Sequence, residues 1–201
     1  MRVATSLVLS GLAAGMTLAV QTTACAPKPD RSVVTDVLTP DFPTYKTHVD
    51  AYLQRRCGTL DCHGQPGRAY RLYGFSGLRM AEETDGGLVS GQQPTTDDEI
   101  RANFESAVAL EPEEMTRLMA TQGAEPNRLL LLRKPLLLER HKGGPSMAEN
   151  DSGYRCVVAW LRLRTVRETG DGEDFESIPP DQREAFSARA QQDCEEAKSF
   201  P

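Results

Sequence analysis

The chain has 201 residues, 39% hydrophobic and 26% charged, which fits an ordinary globular domain and excludes a polytopic membrane protein. Its 29 acidic residues outnumber 23 basic ones, and the resulting formal charge of -6 would repel a phosphate backbone, which argues against sequence-reading nucleic-acid binding. Five cysteines are few for a disulfide scaffold and odd in number, so at least one has a task other than pairing within the chain.

Residues 1–24 open with Arg2 and continue through an uncharged run from Ser6 to Val20, rich in Leu, Ala, Gly and Thr. A basic start followed by a short apolar run predicts an export signal rather than a spanning helix. It ends at Thr22-Thr23-Ala24-Cys25, which resembles a bacterial lipobox with Thr22 where leucine is usual. Cys25 is therefore expected to become the acylated first residue of an exported lipoprotein, with plain cleavage near Ala24 as the alternative. Export places the folded part where thiols oxidise.

Residues 25–43 are rich in Pro, Asp and Thr and read as a flexible tether, with structure beginning near Phe42. Tyr45, Val49, Tyr52 and Leu53 then fall at helical spacing and predict an amphipathic helix over 44–56, with Thr44 as its cap. Residues 58–95 are broken and Gly-rich, apart from a short extended piece at Tyr70–Tyr73. Thr96-Asp97-Asp98-Glu99 has the form of a capping box and starts a helix to Val108; Glu111-Pro112-Glu113-Glu114 opens another through Met115, Leu118 and Met119.

Leu129–Leu132 and Leu136–Leu138, split by Pro135, predict short buried segments, and Gly143-Gly144-Pro145 predicts a loop. The strongest helix signal covers 153–167, with Tyr154, Val157, Val158, Trp160 and Leu161 facing inward. After Gly170-Asp171-Gly172 a polar helix is expected from Pro180 to about Ser199, in which Phe186 and Cys194 are the conspicuous apolar residues. The fold class is therefore mainly α. The expected domains are residues 1–24 as signal, 25–43 as tether, 44–168 as a helical domain with long loops, and 169–201 as an appended C-terminal helix.

The chemistry gathers at Cys57-Gly58-Thr59-Leu60-Asp61-Cys62-His63, two cysteines separated by four residues with a histidine directly after the second. In c-type haem attachment two thiols form thioethers to the vinyl groups and the adjacent imidazole becomes the proximal iron ligand. The usual spacing is two residues. A Cys57–Cys62 disulfide with His63 as a bystander is the competing reading. Zinc fits poorly, because the chain has no second close Cys pair and only three histidines.

Arg56–Gly64 followed by Tyr70-Arg71-Leu72-Tyr73-Gly74-Phe75 resembles the opening of cytochrome c-like domains of secreted bacterial proteins, which share the four-residue spacing. Asn127–Pro135 resembles their leucine-rich Lys-Pro segment, His141-Lys142-Gly143-Gly144 their His-Gly-Gly-Gly segment, and Tyr154–Leu161 their closing helix. Order and rough spacing agree over residues 45–163. Lys142 departs from the pattern, the Met-Pro-Pro ligand segment is absent, and nothing matches after Arg164. The resemblance implies a cytochrome c-like fold carrying one covalent haem c on Cys57 and Cys62. His63 is then the proximal ligand and His141 the sixth. Electron transfer or redox sensing follows as the function, with an unidentified redox protein as partner, a lipid anchor on the membrane, and no nucleic acid.

Among other possible sixth ligands, Met147 is the runner-up, Met115 and Met119 read as core residues, and His48 falls on the exposed side of its helix. Arg55, Arg56, Arg68, Arg71, Tyr70 and Tyr73 flank the motif as candidate propionate partners. An electron carrier is favoured over a catalyst, since the sequence has no GxSxG and no phosphate loop. The competing function is a non-haem envelope domain, stapled by Cys57–Cys62, that acts in binding or assembly. With Cys25, Cys57 and Cys62 assigned, arithmetic and compartment leave Cys156 and Cys194 to form a disulfide that holds the polar C-terminal helix to the domain.

Overall fold

The computed structural model describes residues 37–80, 93–163 and 186–199, and the backbone of strand Val166–Glu168. The signal over residues 1–24, Cys25, the tether as far as residue 36, and residues 169–185 lie outside the described residues. Among the described residues no helix is long and apolar enough to cross a membrane.

Order begins earlier than Phe42. Strand β1, Val37–Thr39, pairs antiparallel with β2, Val166–Glu168, in the register Val37 to Glu168 and Thr39 to Val166. The helix expected over 153–167 accordingly stops at Leu161, because its last residues are drawn into this pair. Asp41, not Thr44, caps the next helix: its Oδ2 accepts the Thr44 N–H at 2.8 Å ahead of α1, Phe42–Thr44, with Pro43 in the first turn. The backbone then widens into a π turn over Tyr45–Val49 before α2, Asp50–Cys57.

The capping box at Thr96 and Glu99 is present and starts α3, Asp97–Val108. α4 is Pro112–Ala120, and its Thr116 hydroxyl accepts the Leu38 N–H at 3.3 Å, tying β1 to the helix. A 3₁₀ turn at Pro126–Arg128 leads to the short α5, Leu130–Arg133. α6, Ser152–Leu161, is capped by Asp151, and α7 is Ala188–Ser199. The expected mainly helical class is what the structure has.

The core centres on Tyr45, Phe104 and Trp160, all fully buried. Tyr45 lies 5.4 Å from Phe104 and 5.2 Å from Trp160 between ring centres, and Trp160 Nε1 donates to the Asp41 carbonyl at 2.9 Å. Truncating any of the three to alanine would cost about 3–5 kcal/mol. Met115 and Met119 belong to this core. Cys156 and Cys194 form a disulfide that joins α6 to α7, and Arg155 adds an ion pair to Asp193 at 2.8 Å across the same contact. Leu131 and Leu132 are buried as expected, whereas Leu137 and Leu138 are 48% and 58% exposed. Pro135 lies two residues after the end of α5, and the turn closed by the Leu137 N–H on the Lys134 carbonyl rotates both side chains outward.

Candidate functional site

Cys57 ends α2, and the chain turns there because backbone bonds close the following loop tightly. Cys62 N donates to the Thr59 carbonyl at 2.9 Å, His63 N to the Cys57 carbonyl at 2.9 Å, and Gly64 N to the Thr59 carbonyl at 3.0 Å. Gly64 has to be glycine, since a Cβ there would stand 2.2 Å from the Gly58 carbonyl oxygen. The loop thus carries two thiols and an imidazole on one short, pinned segment. Cys57 and Cys62 are not bonded to each other; both are free and half-buried.

His63 is oriented from outside its own loop. Its Nδ1 lies 2.8 Å from the Tyr70 carbonyl, which can only accept, so the proton sits on Nδ1 and Nε2 keeps its lone pair. The Tyr70–Tyr73 segment that supplies this carbonyl is clamped to α3: Arg71 N donates to Ser106 Oγ at 2.8 Å and Tyr73 N to Asn103 Oδ1 at 2.7 Å. Burial lowers the pKa of His63, and His141 and Arg68 push the same way, against the Tyr70 bond. The ring is therefore neutral at pH 7.

His141 arrives from a distant part of the sequence with the same kind of backbone bond. Its Nδ1 is 2.8 Å from the Gly144 carbonyl, in a turn that Gly144 closes with φ of 72°. Its ring lies 6.2 Å from that of His63, centre to centre, and within 15° of parallel. Two imidazoles on opposite sides of one first-row metal, each bonded at about 2.0 Å, stand about 6.2 Å apart between ring centres. The separation between the two ring centres is of that size.

Both histidines, both cysteines and Met147 line one cavity of about 670 Å³, whose apolar wall comes from Leu53, Leu130, Leu131 and Tyr70. Yet among the described residues no three His, Cys, Asp or Glu side chains converge closely enough to hold a metal ion by themselves. The donors surround a volume rather than a point. Burial pushes the Cys57 thiol up to about 12, a rise the Arg56 charge opposes and does not cancel. Such a thiol stays protonated at pH 7 and is poorly suited to thiol–disulfide exchange.

Of the cations flanking the motif in sequence, Arg68 lines the cavity, as does Tyr70. Arg55 is exposed, Arg56 donates to the Ser146 carbonyl at 2.8 Å, and Arg71 lies 5.3 Å over the Tyr73 ring. Lys134, Arg140 and Lys142 line the cavity instead. With Arg68 they place four cations against one carboxylate, Asp61, in a chain of formal charge -6. The signal for them was the basic triplet Arg140-His141-Lys142, which brackets the very histidine singled out as a ligand. His48 is not exposed as expected: its ring lies 5.1 Å from Phe186, and its Nδ1 is buried without a hydrogen-bond partner among the described residues. It faces α7 and takes no part in the cavity. No family model, curated protein or solved structure matches this chain.

Proposed function

We propose that the chain is an exported, lipid-anchored mono-haem c-type cytochrome-like protein with a cytochrome c-like fold, acting in electron transfer or redox sensing. The observation that carries the reading is the spacing of His63 and His141 across a cavity whose wall also holds the unpaired Cys57 and Cys62. A bare ion lacks a convergent donor set among the described residues, whereas a group that brings its own nitrogen donors would need only His63 and His141 and a slot of this size. Haem supplies reversible one-electron chemistry when bound.

The chain's own residues divide the remaining work. Cys57 and Cys62 would tether the group, and His63 and His141 would hold it through Nε2, each kept in the right tautomer by a backbone carbonyl. Leu53, Leu130 and Leu131 exclude water from its faces, and Met147, buried on the same wall, adds apolar contact. Arg68, Arg140, Lys142 and Lys134 offer charge-assisted partners to two propionates, which explains a cationic rim on an acidic protein. Lys134 shares its charge with Glu139 at 2.9 Å, so Arg68, Arg140 and Lys142 are the freer donors. With both His63 and His141 engaged in holding the group, the site would be suited to passing electrons rather than to activating peroxide. Export and acylation of Cys25 are supported by the residue 1–24 pattern and by a disulfide in the same chain.

The full chain, expressed with a c-type maturation system, should give a pyridine haemochrome spectrum, a covalent haem mass and a low-spin ferric spectrum. His141→Ala should convert low spin to high spin. A colourless product without haem mass overturns the proposal and favours the stapled, non-haem domain.

A further inference from the structure

Two carboxylates, one on α2 and one on α3, are buried, and they are held in opposite ways. Glu99 on α3 meets Arg79 through Nε to Oε1 and Nη2 to Oε2, both at 2.8 Å, and also accepts from Met80 N and Thr96 N. Asp50, the first residue of α2, is 2% exposed and has only neutral donors, Asn103 Nδ2 at 3.0 Å and Gln54 Nε2. No ion pair includes it among the described residues. The titratable groups facing it are Tyr45 from the π turn, Tyr70 from the cavity wall, and Glu99 from α3. The hydroxyls of Tyr45 and Tyr70 are buried, and neither closes a well-directed hydrogen bond among the described residues.

Asp50 is also wired to the site. Asn103 Nδ2, which donates to Asp50, donates as well to the Tyr73 carbonyl at 2.9 Å, and its Oδ1 accepts from Tyr73 N at 2.7 Å. Tyr73 ends the segment whose Tyr70 carbonyl holds the His63 Nδ1 proton. Leu53, one helical turn after Asp50, lines the cavity. On the other side, Thr95, half-buried near the surface, donates to Gln54 Oε1 at 2.8 Å, and Gln54 donates in turn to Asp50.

We propose that Asp50 takes up a proton when the group in the cavity gains an electron, which couples electron transfer through this protein to proton transfer. One electron arrives from a one-electron donor, an electron-carrier protein or a mediator, and one proton from bulk water forms an O–H bond on the Asp50 carboxylate. Oxidation releases both. The domain's net charge is unchanged, which is the driving force. A unit charge on the order of 10 Å away through an effective dielectric of about 20 shifts a proton affinity roughly tenfold. Glu99 cannot serve, because Arg79 and two backbone donors outweigh its burial and hold its pKa low. Burial instead pushes Asp50 up to about 6, against the Asn103 and Gln54 donors and the nearby Tyr45 hydroxyl, with the Glu99 charge adding to the rise.

The inference rests on the haem reading, and spectroelectrochemistry of the matured full chain separates their fates. Haem content is measured first, and its absence overturns both. With haem present, the midpoint potential should fall by about 59 mV, equivalent to tenfold in proton affinity, between plateaus below about pH 6 and above about pH 7. Asp50→Asn should be flat and sit at the acid plateau, while Asp50→Glu should keep a slope. A flat wild type, or an unchanged slope in Asp50→Asn, overturns the assignment and leaves the haem reading standing. If Asp50→Asn does not fold, reduced-minus-oxidised infrared spectra of the wild type near pH 6.5 decide. A carboxylic C=O band gained on reduction, shifted in Asp50→Glu, supports the assignment, and its absence overturns it.

Discussion

Cys57 and Cys62 are five positions apart and remain thiols, whereas Cys156 and Cys194 are 38 positions apart and are joined. The near pair sits on a loop whose backbone bonds set it on a cavity wall, beside an imidazole whose Nδ1 is held by the Tyr70 carbonyl. The distant pair is fully buried where α6 meets α7. Closeness in sequence therefore did not decide which thiols pair; the surface each pair faces did. One pair faces an open cavity and the other is sealed inside a helix–helix contact.

Substituting both members of each pair tests that division most severely. Cys57→Ser with Cys62→Ser should abolish covalent haem while leaving the Cys156–Cys194 link intact, read by haemochrome assay and non-reducing peptide mapping. Haem retained covalently without either sulfur would refute the assignment. Cys156→Ser with Cys194→Ser should do the reverse. The matured protein keeps its spectrum but loses about 3–4 kcal/mol in denaturant unfolding, the expected cost of releasing a loop of this length. A change in spin state in that variant would mean that the two halves are not separable.

The halves should also respond to pH with opposite sign. Asp50 has a raised folded pKa, so its contribution is fully present below about pH 4, its unfolded value, and is lost as pH rises through about 6. Asp50→Asn should therefore stabilise the haem-free protein at pH 8 by roughly 2 kcal/mol and by little at pH 4, measured by urea unfolding. At the other half, burial lowers the pKa of His48, with Lys198 adding to the effect and Glu195 opposing it. Neutral His48 is the form that fits against Phe186, so this contribution is present above about pH 6.5, the unfolded value, and is lost as pH falls below it through the lowered folded pKa. The smallest expected effect is thus faster hydrogen exchange in α7 at pH 5.5 than at pH 7.5 after correction for intrinsic rates. His48→Gln should remove it, and an unchanged acid sensitivity in that variant would locate the loosening elsewhere, with Asp193 and Arg155 as the next groups to test.

Local rules made much of the fold legible. The capping box at Thr96 and the proline opening at Glu111-Pro112 are satisfied within a single turn, so sequence alone placed α3 and α4. Helix ends governed by distant partners were misplaced: α6 stops at Leu161 because Val166–Glu168 pairs with Val37–Thr39, a partner more than 120 residues away. Leu137 and Leu138 read as core because an apolar run carries no record of the turn that rotates it outward. His48 read as exposed because α7, which covers it, follows some 140 residues later in the chain.

By itself the sequence determined the Cys57–His63 loop and its glycine, the helix starts, the apolar faces, and the arithmetic that left Cys156 and Cys194 to each other. These depend on residue type and on neighbours within a turn or two. Only the tertiary structure decided that His141 would stand 6.2 Å from His63, that Lys134, Arg140 and Lys142 rather than Arg55 and Arg71 would line the cavity, and that Asp50 would be buried without a cation while Glu99 received one. Each of those outcomes is a distance between segments far apart in the chain, fixed by how Tyr45, Phe104 and Trp160 pack, and no local pattern encodes it.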